Sequence, residues 1–128
     1  MAQGEAAELA RDTLGNGVHR AEPYQRFSAE RASATRMYKD EDISLVVWNL
    51  EPGQENRTHS HPQSAHAFLV LCGEGEYIRE GTAPAPIRVG DYIIIPREVQ
   101  HGIRNTGAER LSYMAFTSQG PNGYSRGT

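Results

Sequence analysis

The sequence has little with which to cross-link its chain, span a membrane or bind a polyanion. It contains a single cysteine, Cys72, which cannot form a disulfide within its own chain. No apolar run approaches the roughly 20 residues that a membrane-spanning helix needs. Lys and Arg total 13 against 16 Asp and Glu, a formal net charge of -3, and this excludes the broadly basic surface of a nucleic-acid-binding domain. We therefore expect neither a nucleic acid nor a membrane as a partner.

The N-terminal segment also lacks the basic and apolar regions of a secretory signal peptide. Together with the single cysteine, this favours a reducing compartment, and we expect the protein in the cytoplasm. The 128 residues are enough for one domain and too few for two full cores. Changes of composition along the chain predict an N-terminal arm (1–23), one β domain (24–117) and a polar C-terminal tail (118–128).

Short apolar runs separated by turn residues dominate the chain after Tyr24, and no helical periodicity competes with them. They recur roughly every dozen residues, a spacing typical of an all-β sandwich or barrel and not of a βαβ sheet. Only residues 5–14 predict a helix, a short one that ends at Gly15. The clearest strands are predicted at Ile43–Leu50, Ala67–Leu71, Glu76–Arg79, Asp91–Ile95 and Leu111–Phe116.

Four of the five histidines fall into two clusters. His59 and His61 are two residues apart, so on an extended segment both imidazoles project from one face, which suits two ligands of one metal ion. His66 has the opposite parity, and a turn before it can restore convergence. His101 follows a second turn, so four neutral nitrogen ligands could meet between strands. The isolated His19 is interpreted as an ordinary polar residue.

The residues around these histidines resemble the two sequence motifs of the cupins. Gly53-x5-His59-x-His61-x4-His66-x6-Gly73 is similar to the first motif, G-x5-H-x-H-x3,4-E-x6-G. Gly90-x5-Pro96-x-Glu98-x2-His101-x3-Asn105 is similar to the second, G-x5-P-x-G-x2-H-x3-N. The resemblance implies a small jelly-roll β-barrel of two antiparallel sheets with a short N-terminal arm or helix. It also implies one divalent transition metal per chain, iron first and zinc, manganese, nickel or cobalt as alternatives, with the ligands His59, His61, His66 and His101.

Two positions depart from the motifs. Glu98 stands where the second motif has glycine, which removes an easy positive-φ position and predicts a different turn before His101. His66 stands where the first motif has glutamate, and a fourth neutral imidazole leaves the site one charge unit more positive than a carboxylate would. Alternatively, His66 is not a ligand and serves as a general base in a three-histidine site. Glu98 and a metal-bound hydroxide are the other candidates for that base.

Residues beside the predicted ligands have weaker assignments. Four of them are candidates to orient a substrate or support a ligand: Arg57, Gln63, Gln100 and Arg104. Four others share the parity of a ligand, and ordinary core packing is their simpler interpretation: Phe68, Val70, Ile103 and Asn105. We expect Cys72 to be a small buried side chain.

The expected function is that of a metal-dependent enzyme acting on a small molecule. An iron dioxygenase is favoured, because neutral ligands with open neighbouring positions let O₂ and an enol, dicarbonyl or phenol oxygen bind side by side. A non-oxidative isomerase, lyase or cyclase that uses the metal as a Lewis acid is the alternative, and a non-catalytic binding module is the third. We also expect a homodimer, in which arms or edge strands pair and cover exposed sheet edges.

Overall fold

The computed structural model describes residues 7–58 and 65–118, and within them the chain forms two antiparallel sheets. The larger sheet has the order β1-β2-β9-β4-β7 and the smaller β3-β8-β5-β6. Apart from the added edge strand β1, this is the order of a double Greek-key jelly roll. The all-β prediction with two antiparallel sheets is therefore confirmed. The strands are β1 Ser33–Lys39, β2 Ile43–Leu50, β3 Glu55–Thr58, β4 His66–Cys72, β5 Glu74–Arg79, β6 Ala85–Arg88, β7 Tyr92–Ile95, β8 His101–Arg104 and β9 Leu111–Ser118.

The structure contains all five of the strands predicted as clearest, with ends that differ by two residues at most. Four strands are additional to that prediction: β1, β3, β6 and β8. Three of these have only four residues, and their sequences ENRT, APIR and HGIR carry no apolar run. These segments are strands because they pair with neighbouring strands. Their own composition does not predict a strand.

The N-terminal arm is extended where the sequence predicts a helix. Between residue 7 and Leu14 the only helical turn is a 3-10 turn at Arg11–Thr13. Leu9 instead donates its backbone N–H to the carbonyl of Met37 at 2.8 Å. An isolated helix this short is marginal in water, and the sheet offers the arm both a backbone partner and an apolar surface.

Two apolar clusters hold the fold together. The main core fills the space between the sheets and includes Leu50, Phe68, Ile95, Ile103, Leu111 and Tyr113. A second cluster lies on the outer face of the larger sheet, where the arm and the following loop cover it; it consists of Tyr24, Met37, Val47 and Met114 with Leu9, Ala21, Leu45 and Leu71 packed against it. Among the described residues no helix has the length and apolar character needed to span a membrane.

The turn between β4 and β5 shows why a motif glycine is required there. Gly73 has φ of +81°, and a Cβ atom added to it would lie 2.1 Å from the carbonyl oxygen of Arg110. Both the backbone conformation and the close approach therefore exclude any larger residue. The neighbouring Cys72 is half-buried, with its Sγ 3.8 Å from the same carbonyl oxygen.

One edge of the larger sheet carries apolar side chains on its outer face. On the edge strand β7, Tyr92 is 69% and Ile94 is 70% exposed. Pairing of such an edge with a second chain would cover it, as the sequence-based expectation of a homodimer requires. The homodimer stays a prediction.

Candidate metal centre

Two of the four predicted ligands face each other across the space between the sheets. His66 is the first residue of β4 in the larger sheet, and His101 is the first residue of β8 in the smaller one. Their ring centroids are 5.5 Å apart, and His101 is 5% exposed. Two imidazoles that bind one ion through nitrogens about 2.1 Å from it have centroids roughly 4.5–5.5 Å apart at ordinary ligand angles. The pair therefore has the separation that a shared ion requires.

The other two predicted ligands, His59 and His61, lie outside the described residues. The chain does lead toward the centre at this point, because β3 pairs with β8 as far as Thr58, whose Cα partner is His101. Within the part of the chain that the structure describes, no group of three His, Cys, Asp or Glu side chains comes together. The four-histidine site accordingly stays a prediction.

A backbone carbonyl fixes the proton position on His101. Nδ1 of His101 lies 2.9 Å from the carbonyl oxygen of Val99. A carbonyl can only accept a hydrogen bond, so Nδ1 carries the proton and donates, and in the neutral ring Nε2 carries the lone pair. Metal-binding histidines in proteins are commonly oriented in this way by a partner on their other nitrogen. The donor chemistry of His101 therefore fits a metal ligand.

A hydroxyl group leaves the proton position on His66 open. Nδ1 of His66 lies 2.9 Å from Oγ1 of Thr117, its direct partner on β9. A hydroxyl both donates and accepts, so Nδ1 can carry either a proton or a lone pair without loss of this bond. When Nδ1 donates to Thr117, Nε2 carries the lone pair, and His66 can then be a metal ligand through Nε2 or a base. Both roles stay predictions.

Aromatic rings surround the two imidazoles. Phe68 lies 6.0 Å from His66 and 5.5 Å from His101 between ring centroids. Deeper between the sheets, Tyr113 lies 4.9 Å from Phe68. Burial strongly raises the pKa of the Tyr113 hydroxyl, with a partial offset from its hydrogen bond with Asn56, so the group stays neutral. The part of the wall that Phe68 and Tyr113 form is therefore apolar and uncharged.

The turn before His101 differs from what the sequence predicts. Glu98 has φ of +71°, so the chain keeps a positive-φ conformation although the residue is not glycine, and the expected avoidance of that conformation is wrong. This conformation has the cost typical of a left-handed non-glycine residue. Its side chain is exposed. The role of Glu98 as a base stays a prediction.

The arginines predicted beside the ligands lie on the opposite face of the smaller sheet from His101. Arg57 pairs with Glu55 at 2.8 Å, and Arg104 contacts Glu55 at 3.3 Å and Glu76 at 3.7 Å. These ion pairs form a band on the solvent side of the sheet. Neither arginine is placed to orient a substrate next to the histidines.

The remaining neighbours of the ligands fall into two groups. Gln100 is exposed, and Gln63 lies outside the described residues. Asn105 is 1% exposed and donates from Nδ2 to the carbonyls of Leu50 and Glu109, each at 2.9 Å. It therefore joins the end of β2 to the loop before β9. With Phe68, Val70 and Ile103 in the main core, the core-packing interpretation is confirmed for this group.

Sequence reasoning does not find the groups that support the histidines. The Thr117 hydroxyl and the Val99 carbonyl contact them only through strand pairing and the local turn. Tyr77, whose ring lies 6.4 Å from that of His101, is likewise placed by pairing of β5 with β8. Parity along β9 would have put Thr117 on the inner face, but only the register identifies His66 as its partner.

The fold and this histidine pair define a class of protein, the small two-sheet jelly rolls with imidazoles between the sheets. Residues 46–117, more than half of the chain, match the sequence model of the cupin domain. The chain belongs to the cupin family, and the resemblance seen in its two motifs is confirmed.

Curated relatives and a solved structure agree with this assignment. The chain is 34% identical over 87 residues (62% of its length) to germin-like protein 1-2 of Oryza sativa subsp. japonica. It is 36% identical over 58 residues (45% of its length) to protein SchB of Streptomyces halstedii. The aligned parts span 38% and 41% of those relatives, about two fifths of their length. A protein with a double-stranded β-helix domain from Klebsiella pneumoniae superposes with a TM-score of 0.77 at 27% identity, covering 84% of this chain and 93% of that one.

Proposed function

We propose that this cupin is a metal-dependent enzyme that oxidises a small oxygen-bearing molecule with O₂. The ligands would be His59, His61, His66 and His101, and the metal a single divalent ion, iron in first place. The observation that carries the proposal is the hydrogen bond from His101 Nδ1 to the Val99 carbonyl. It leaves a lone pair on Nε2 of the neutral ring, which lies between the sheets beside His66. Packing alone would not need a buried imidazole with its proton position fixed.

Each part of the site has a role in this proposal. When bound, Fe(II) with neutral imidazole ligands would supply neighbouring open positions for O₂ and for an enol, dicarbonyl or phenol oxygen. The hydrogen bond from His101 Nδ1 to the Val99 carbonyl keeps the lone pair on Nε2. The rings of Phe68 and Tyr113 exclude water from one side of the site, which strengthens the electrostatic interactions of a bound substrate. Thr117 orients His66.

A non-oxidative isomerase, lyase or cyclase is the second candidate, and one observation favours it. Thr117 Oγ1 can accept a hydrogen bond from His66 Nδ1–H, which leaves the lone pair on Nε2, so an unligated His66 could take a proton from a substrate that the metal polarises. A binding module without catalysis would use the same side chains. The small-molecule partner, the homodimer and the cytoplasmic location remain part of the proposal.

The experiment combines metal analysis with oxygen uptake. Protein purified without added metal is assayed for metal content and then, in an oxygen electrode, with a panel of β-diketones, phenols and thiols. The proposal expects close to one transition metal per chain and oxygen uptake with at least one class of substrate. Substrate consumption without oxygen uptake would favour the non-oxidative candidate, and metal binding without any turnover would favour the binding module. The His101→Gln variant is the matched control, because it keeps the side-chain volume and removes the ligand.

A further inference from the structure

An arginine that the sequence motifs do not include lies on the same face of the smaller sheet as His101. Arg79 is the last residue of β5, and its Cα partner on β8 is His101. Directly opposed residues of an antiparallel pair project from the same face, and His101 faces the space between the sheets. Tyr77, two residues earlier on β5, confirms this parity, because its ring lies 6.4 Å from that of His101.

A turn fixes the backbone of Arg79, but its guanidinium takes part in none of the ion pairs described for this sheet. Its carbonyl accepts hydrogen bonds from the backbone N–H of Thr82 at 3.2 Å and from the Thr82 hydroxyl at 3.1 Å. The arginines on the outer face of this sheet, Arg57 and Arg104, pair with glutamates. Arg79 forms no ion pair with any residue in the described ranges 7–58 and 65–118.

Tyr77 provides a second donor close to this cation. Burial raises the pKa of the Tyr77 hydroxyl and the positive charge of Arg79 lowers it, with a net rise. The hydroxyl therefore stays protonated near neutral pH, and Tyr77 lies on the same face of β5 as Arg79, two residues away. Two groups that donate hydrogen bonds thus stand on the His101 side of β5, at the same end of the sheets as His66.

We propose that Arg79 and Tyr77 form a subsite for a carboxylate group of the substrate, beside the metal-binding histidines. A guanidinium presents two parallel N–H groups that match the two oxygens of a carboxylate. The subsite narrows the substrate class to small acids in which a carboxylate lies near the enol or carbonyl oxygen. This inference rests on the proposed function, because the proposed metal centre locates the reacting oxygen. The location of the carboxylate rests on the register of β5 with β8.

Calorimetric titration with two matched probes tests the subsite. Acetoacetate carries a carboxylate, and acetylacetone is a β-diketone without one. The wild-type protein should bind acetoacetate more tightly, and Arg79→Gln should weaken that binding about tenfold or more with little effect on acetylacetone. Tyr77→Phe should weaken acetoacetate binding by about two- to tenfold, as loss of a neutral hydrogen bond predicts. Arg88→Gln is the control, since Arg88 lies on the same sheet next to the buried Ile87 and so faces outward.

Three results would overturn the carboxylate subsite. They are equal affinity of the wild type for the two probes, no effect of Arg79→Gln, and an equal effect of Arg88→Gln. Inorganic phosphate is the third probe. If phosphate binds more tightly than acetoacetate and its binding depends on Arg79, the subsite is assigned to a phosphate group and not to a carboxylate. Metal content is measured on every sample. If protein that binds no metal still prefers acetoacetate to acetylacetone, and this preference depends on Arg79, the proposed metal-dependent enzyme is refuted and the subsite is not.

Discussion

Replacement of Glu98 by glycine should stabilise the protein although it removes a side chain. Glu98 has φ of +71°, and this conformation costs a residue with a Cβ atom about 1–2 kcal/mol relative to glycine. Glycine in turn loses about 0.4–1 kcal/mol more conformational entropy on folding. The difference is a gain of about 0.5–1 kcal/mol. For a chain of this length that corresponds to a rise in Tm of roughly 2–4 °C.

Thermal and urea unfolding, followed by circular dichroism, measure this change. Gly90→Ala is the matched control, because Gly90 has φ of +91° and no atom lies within 4 Å of an added Cβ. The same two contributions then act with reversed sign, and the control should lose about 0.5–1 kcal/mol. If Glu98→Gly were destabilising or neutral while Gly90→Ala behaved as expected, the strain assigned to Glu98 would be refuted.

The remaining predictions concern three buried or hydrogen-bonded polar groups. His66→Glu should keep the metal but change the Co(II) absorption spectrum if His66 is a ligand, whereas an unchanged spectrum would mean that it is not. Tyr113→Phe removes the acceptor 2.7 Å from Asn56 Nδ2 and should cost about 1–3 kcal/mol in urea unfolding, while the double variant with Asn56→Leu should lose less than the sum of the two changes. Hydrogen bonds led by that from the Ile43 N–H lower the pKa of Asp40 to about 2 from 3.8, so its stabilising effect is complete above the unfolded-state pKa and disappears as the pH falls toward 2. The stability difference between wild type and Asp40→Asn should therefore be constant at neutral pH and shrink in acid, and a difference that is independent of pH would contradict this.

The strands that the sequence predicts are those whose burial produces a recognisable run of apolar residues. ISLVVWNL at Ile43–Leu50 is recognisable without its neighbours, and the structure has β2 over the same residues. β6, with the sequence APIR, places only Ile87 in the core and depends on pairing with β5. Pairing partners are distant in sequence, so the hydrophobic pattern of a four-residue segment does not contain that information.

The candidate site shows the same division. Motif spacing predicted His66 and His101 as two of four metal ligands, and the structure places their rings 5.5 Å apart. The hydrogen-bond partners of these rings depend on the register of β4 with β9 and on the turn at Glu98. The sequence also favoured Arg57 and Arg104 because they lie near ligands along the chain, yet Arg79 shares the face of His101. Proximity in sequence is a poor guide in a sheet, where alternate residues face opposite sides.

Metal stoichiometry in three proteins tests the central claim most directly. Wild type, His101→Gln and His19→Gln are purified in parallel without added metal and analysed by plasma mass spectrometry, with circular dichroism to confirm that each is folded. Nε2 of His19 donates a hydrogen bond to the Leu14 carbonyl in the exposed arm, away from the predicted site, so its replacement should leave close to one transition metal per chain, as in the wild type. His101→Gln should lose most of the metal. Equal metal content in the wild type and folded His101→Gln would contradict the metal centre.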